Sequence, residues 1–193
     1  PARTRTKRQA ANRAPQIVLA GPTGPARTRV GHNGAPSALR PGTRCPHAAV
    51  LLVAPVAHAF VCGSAACCHS WTASAGSNDQ LVANLQRDQG LSPASVTALS
   101  RVDRANFLPR DLLNNAYEDR PLPIGHGVTI SAPHMHAVAL EVLLEKLQPG
   151  AAVLDVGVGS GFLAAAFAEM VGPTGSVLGI DRVPALVAMS EPK

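Results

Sequence analysis

The hydrophobic pattern becomes regular from residue 77 onward. Ser77 or Asn78 suits a helix start, and Asp79 falls where the positive end of a helix dipole favours it. Leu81, Val82 and Leu85 then share one face before Gly90, so the spacing predicts an amphipathic helix. A second start stands at Ser92 with Pro93 in the first helical position, and Val96, Leu99 and Val102 are its expected buried side. Arg104-Ala-Asn-Phe-Leu-Pro109 is expected to be extended, because a residue before proline avoids the helical region.

Pro121 and Pro123 next force extended backbone, and Gly125 and Gly127 permit sharp turns or the close approach of a ligand. A third helix is predicted from about Pro133 to Leu147, with Val138, Leu140, Leu143, Leu144 and Leu147 inward and Pro149-Gly150 as its end. Ala151–Val156 is a short apolar run of the buried-strand type. After Gly157-Val-Gly-Ser-Gly161 come an apolar helix over Phe162–Val171 and a second strand over Ser176–Ile180. Strand, glycine loop, helix and strand in that order predict an α/β fold with parallel strands and a right-handed crossover.

Charge divides the chain at the same place. Residues 1–78 hold nine of the 17 Lys and Arg and no acidic residue, while all 12 Asp and Glu lie from Asp79 onward. The net +5 therefore averages a tail near +9 with a body near −4. Two parts are expected: a basic low-complexity extension over 1–76, disordered, and a folded part over 77–193. The extension's charge permits contact with nucleic acid or a membrane surface. No aromatic residue interleaves with its arginines, so a stacking platform for single strands is not expected.

Residues 47–62 form the most apolar run, but it is shorter than the ~20 residues of a spanning helix, and Pro55 and His58 interrupt it. No Asn-x-Ser/Thr acceptor occurs, and the reading is of a soluble, cytosolic chain. Cys45, Cys62, Cys67 and Cys68 all sit in the extension without a paired zinc-ligand spacing, so they read as reduced, incidental thiols.

The chemistry concentrates at the glycine loop. Asp155 lies near the end of the first strand and Asp181 follows the second. Glycines let the backbone approach a nucleoside, and an acidic residue at the second strand's end can accept hydrogen bonds from both ribose hydroxyls. Gly159-Ser-Gly161-Phe-Leu-Ala164 satisfies the dinucleotide fingerprint, whereas Asp155-x-Gly157-x-Gly159-x-Gly161 resembles the first motif of S-adenosylmethionine-dependent methyltransferases. A dinucleotide needs the helix start for its pyrophosphate. S-adenosylmethionine has no phosphate, and Asp155 can pair with its ammonium. Three helices precede the first strand, which also argues against a dehydrogenase. Thr129 and Ser131 offer hydroxyls ahead of the third helix, and on these residues alone Ser131 could equally cap it. His134 and His136 point about 200° apart in a helical turn, and no third ligand is evident, so no metal is expected.

Four stretches together carry a specific resemblance. Leu81-Val-Ala-Asn-Leu-Gln, Arg104-Ala-Asn-Phe-Leu-Pro, Tyr117-Glu-Asp-Arg-Pro-Leu-Pro-Ile-Gly-His-Gly-Val-Thr-Ile-Ser-Ala-Pro and Val153-Leu-Asp-Val-Gly-Val-Gly-Ser-Gly resemble protein-L-isoaspartate O-methyltransferases in order and spacing. The resemblance implies a Rossmann-like S-adenosylmethionine-dependent methyltransferase fold with amino-terminal helices. It implies a protein carboxyl methyltransferase acting in protein repair: a methyl passes from S-adenosylmethionine to the free α-carboxylate of L-isoaspartyl residues in damaged proteins.

By the same resemblance Ser131 is the catalytic or acceptor-orienting residue, and Val128, Thr129, Ile130 and His136 line the cofactor and substrate cleft. Val156, Gly157, Val158, Gly159 and Ser160 hold the methionine end with Asp155 and Gly161, and Asp181 and Arg182 lie beside the ribose and adenine. Position 128 is Val where the family usually has a polar or small residue. The chain ends at Lys193, after two of the expected seven core strands, so the sheet is expected to be incomplete and the enzyme weak or inactive by itself. Isoaspartyl-containing proteins and peptides are the expected partners of a monomer that takes no metal, membrane or nucleic acid. A non-catalytic protein with a basic partner-binding extension and a nicotinamide-dependent enzyme rank behind this reading.

Overall fold

The structure is a computed structural model, and it describes residues 16–21, 24–26, 48–50 and 73–190. Three strands come from the segment expected to lack regular structure: β1 (Gln16–Gly21), β2 (Gly24–Ala26) and β3 (Ala48–Val50). They join β6 (Ala152–Val156) and β7 (Ser176–Ile180) in one five-stranded sheet of order β2-β1-β7-β6-β3. β6 and β7 are parallel neighbours with Val153 beside Val177 and Asp155 beside Gly179. β1 runs parallel to β7, β3 runs parallel to β6, and β2 folds back antiparallel on β1.

The sheet therefore has five strands where the sequence suggested two, and three of them come from within residues 1–76; the rest of residues 1–72 lies outside the described residues. A pair of parallel strands presents unpaired N–H and C=O groups along both edges, and Ile17-Val18-Leu19 and Ala48-Ala49-Val50 supply backbone partners for them. Local composition does not disclose pairing at such sequence separation. The four cysteines and most of the apolar run 47–62 lie outside the described residues.

The helices begin where their capping residues stand. α1 (Asn78–Gln89) has Ser77 accepting from the Gln80 amide at 3.3 Å, and Gly90 ends it at φ 69°, donating to the Gln86 carbonyl. α2 (Pro93–Arg101) is capped by Ser92; Leu99 and the capping Val102 are buried as expected, joined by Ser95 and Ala98, while Val96 is only half-buried. Ser92 also donates from both its amide and its hydroxyl to Glu141 of α3 (Pro133–Val142), at 2.8 and 2.9 Å. Ser95 shares this polar cluster through the Ser92 hydroxyl.

Two further expectations give way. Arg104–Phe107 is a 3₁₀ turn, started by the Asp103 carboxylate accepting from the Ala105 amide at 2.9 Å. Leu108, directly before Pro109, and Pro109 itself are extended. α3 stops at Val142, five residues early; Leu140 and, beyond the helix, Leu147 are buried as expected, joined by Pro133, His136 and Ala137, while Val138 is exposed and Leu143 and Leu144 are half-buried. Its face is set by partners on other elements, among them the Phe162 ring against His136.

β4 (Leu122–Gly125) and β5 (Val128–Ile130) form an antiparallel hairpin whose turn carries positive φ at Gly125, His126 and Gly127. α4 (Phe162–Val171) runs between the sheet and α2, and seven of its ten residues are buried. α5 (Pro184–Ser190) packs along β1. Among the described residues no helix is long and apolar enough to cross a membrane.

The return from α4 to β7 is close-packed. A Cβ at Gly175 would stand 2.5 Å from Val171 Cγ2 and 2.8 Å from the Val171 carbonyl oxygen. Gly175→Ala is therefore expected to destabilise the fold by about 1–3 kcal/mol. Urea denaturation checks this, and an unchanged midpoint would contradict the packing described.

Candidate active site

The loop between β6 and α4 turns on three glycines in the left-handed half of backbone space, Gly157 at φ 86°, Gly159 at φ 55° and Gly161 at φ 89°. Its backbone is tied to the end of β7. The Gly157 and Val158 amides donate to the Ile180 carbonyl at 2.8 and 3.1 Å. The Gly159 amide donates to Asp181 Oδ2 at 3.1 Å, and Asp181 Oδ1 accepts from the Val183 amide at 2.9 Å. Asp181 thus holds the loop open while each of its oxygens keeps acceptor capacity.

Asp155 stands at the same end of the sheet and is 2% exposed. Its Oδ2 is buried and has no hydrogen-bond partner among the described residues. Burial pushes its pKa up to about 6, and the nearby Asp181 carboxylate pushes in the same direction. A desolvated acceptor beside a second acid is a place where a cation is stabilised.

The hairpin reaches this loop from the other side. A Cβ at Gly159 would meet Ile124 Cδ1 at 3.5 Å, so β4 packs directly over the glycine turn. In β5 and just beyond it Val128 is half-buried, Thr129 exposed, Ile130 buried and Ser131 half-buried. Ser131 does not cap α3, because Ala132 occupies that position and no side-chain cap bond forms. Val156 is half-buried, Val158 and Ser160 are buried, and Arg182 is exposed.

The two histidines part company. His136 is buried with its ring 4.8 Å from that of Phe162, and its Nδ1 has no partner among the described residues. Burial, then the Arg104 and His134 charges, hold its pKa down to about 3, so the ring is neutral. His134 instead engages the buried Asp119, whose Oδ1 accepts from the His134 amide at 3.0 Å and lies 2.8 Å from Nδ1. Among the described residues no group of three or more His, Cys, Asp or Glu is arranged for a metal.

Asp119, Arg104, Phe107 and Phe162 were given no site role by sequence reasoning, although the first three lie in two of the motif stretches and Phe162 directly follows a third. Their signal is the pairing of charged and aromatic residues with prolines in otherwise irregular segments. No local periodicity says which of them meet.

The raised pKa of Asp155 has a consequence for folding. A carboxyl whose folded-state pKa exceeds its ordinary 3.8 contributes stability that is fully present below pH 4 and lost as pH rises through about 6. That span corresponds to about 3 kcal/mol. Asp155→Asn removes this titration, so the variant is expected to gain on the parent by about that amount between pH 4 and pH 7. Denaturation midpoints at the two pH values check it, and parallel profiles would contradict the assignment.

Comparison with known proteins supports one family. Residues 76–193 match the family described as protein-L-isoaspartate(D-aspartate) O-methyltransferase. The chain is 45% identical over 123 residues to the protein-L-isoaspartate O-methyltransferase of Caenorhabditis elegans, covering 63% of this chain and 53% of that one. It is 53% identical over 92 residues to the enzyme of that name from Triticum aestivum, covering 48% of this chain and 39% of the relative. Among solved structures, a Plasmodium falciparum chain assigned as a protein-L-isoaspartate O-methyltransferase, in complex with S-adenosyl-L-homocysteine, superposes with a TM-score of 0.55. It is 36% identical, over 60% of this chain and 54% of that one.

The chain spans about half the length of the curated relatives it matches. The fold is that of a Rossmann-like S-adenosylmethionine-dependent methyltransferase, and the glycine loop, the two acids and the hairpin fall within the matched residues. The chain belongs to the protein-L-isoaspartate O-methyltransferase family.

Proposed function

We propose that this chain supplies the cofactor cradle and acceptor loop of a protein-L-isoaspartate O-methyltransferase. The observation that carries the reading is the buried, unpartnered Asp155 Oδ2 beside a glycine loop held open by Asp181. S-adenosylmethionine has the groups this site lacks. Its ammonium would pair with Asp155, its carboxylate and methionine chain would follow the Val156–Ser160 backbone up to Gly161, and its ribose would use the spare acceptor capacity of Asp181, with Arg182 beside the adenine. When bound, the cofactor supplies a methyl group on a sulfonium.

The substrate class is the free α-carboxylate of L-isoaspartyl residues in damaged proteins and peptides. An α-carboxyl titrates near 3.5, so the acceptor is an anion at neutral pH and needs no strong base. The chain's own task is alignment. The Ser131 hydroxyl can donate to the acceptor carboxylate, and Val128, Thr129 and Ile130 form the wall from which it projects. A neutral His136 suits this reading, since it adds no charge behind that wall. The reading carries a cytosolic location, which a cysteine-free portion from residue 77 to 193 suits, and a monomeric state.

Incubating the chain with labelled S-adenosylmethionine and an isoaspartyl peptide tests the proposal. Transfer is expected to the isoaspartyl peptide and not to its normal aspartyl counterpart. Ser131→Ala should lower the rate by about 10²-fold, as for a misaligned acceptor, while leaving S-adenosylhomocysteine affinity within a factor of about three. Equal labelling of both peptides, or of neither, would count against the reading.

A further inference from the structure

Arg104 is the largest side chain that is fully buried among the described residues. Its Nε and Nη1 nevertheless have no hydrogen-bond partner there. Nη2 donates to the Arg120 carbonyl at 3.4 Å, one peptide ahead of the Pro121 that leads into the hairpin. On its other side the guanidinium carbon lies 5.8 Å from the centroid of the Phe162 ring. Phe162 is the first residue of α4 and directly follows Gly161.

The same ring is held from two more directions. Phe107, in the 3₁₀ turn that Arg104 opens, meets it edge-on at 5.4 Å and 85°, and His136 of α3 lies 4.8 Å away. The cavity beside Arg104, lined also by Asn78, Pro133 and Phe162, has a volume of about 10 Å³. That is room for about one water and none for an anionic ligand. Burial draws the guanidinium pKa down to about 10, against the attraction of Asp119. Replacing a buried, sparsely hydrogen-bonded cation by an apolar residue of its size is often neutral or stabilising, so stability alone does not account for Arg104.

We propose that Arg104 is a positioning residue for the glycine loop: its cation–π contact with Phe162 and its bond to the Arg120 carbonyl tie the start of α4 to the Ser131 hairpin. The distance between cofactor cradle and acceptor loop is then set by a side chain that touches neither cofactor nor acceptor. The consequence for methyl transfer rests on the proposed function; the mechanical link does not.

Arg104→Met keeps the volume and removes the charge. Its melting temperature should equal or exceed the parent's, while S-adenosylhomocysteine binds roughly tenfold more weakly, the scale of one desolvated cation–π contact. Deuterium exchange at the amides of Gly157–Gly161 should quicken about tenfold without a general rise elsewhere. Arg104→Lys, which keeps charge but not the planar stack, should fall between the two.

Unchanged loop exchange in a folded Arg104→Met, or a rise spread evenly over the chain with a lower melting temperature, would overturn the proposal. Should Arg104→Met fail to fold, Phe162→Leu removes the cation–π contact together with those to Phe107 and His136, and must give at least the same local quickening. If the parent chain binds no S-adenosylhomocysteine, the functional reading fails by itself, and loop exchange alone still decides this one.

Discussion

The arrangement depends on how the end of β7 holds the loop that leaves β6. The Ile180 carbonyl accepts two loop amides and the Asp181 carboxylate accepts a third, so successive backbone N–H groups are satisfied by the neighbouring strand rather than by the loop itself. This leaves the interior of the turn uncluttered by side chains. Only residues without a Cβ adopt such a run of left-handed conformations at low cost, and glycine stands at each of the three positions that require it. Asp155 and Asp181 then fall at one end of two adjacent parallel strands, and burial makes the first of them a poor anion until a cation arrives.

Around this point the rest of the molecule acts as a support. α4 carries the loop's far end into the core through Phe162, Phe167 and Val171. The hairpin closes over Gly159 through Ile124, and α3 follows it with His136 pressed on Phe162. Asp119 fixes the first turn of α3 through the His134 amide and ring. The hairpin and α3 thereby reach the glycine loop and the start of α4 through Ile124 and His136.

Much of this was legible from residue order. Ser77, Gly90, Ser92 and Pro93 mark helix ends by local hydrogen-bonding chemistry, and the chain obeys them. The strand–loop–helix–strand unit is visible because buried parallel strands read as short apolar runs between glycines. What stayed hidden depends on distant partners. Ser92 at the start of α2 meets Glu141, 49 residues away, which no local pattern announces. His136 on the inward face of α3 meets Phe162, and Asp103 caps the 3₁₀ turn of Arg104 through the Ala105 amide. The strands at 16–21, 24–26 and 48–50 are the extreme case, since β1 and β3 find partners in β7 and β6, more than 100 residues along the chain, and β2 pairs on β1.

The candidate site residues are legible as residue types, while their contacts are not. Asp155 and Asp181 are recognisable from their places at strand ends, but the bond from the Gly159 amide to Asp181 is a tertiary fact. The most direct test is calorimetric titration of the chain with S-adenosylhomocysteine at pH 5 and pH 8, alongside Asp155→Asn. Binding should be tighter at the higher pH, with the change falling near pH 6 where Asp155 ionises, and the variant should bind weakly with no such dependence. Affinity that ignores both pH and the Asp155 substitution, or no binding at all, would contradict the central claim that this loop and this acid form the cofactor's seat.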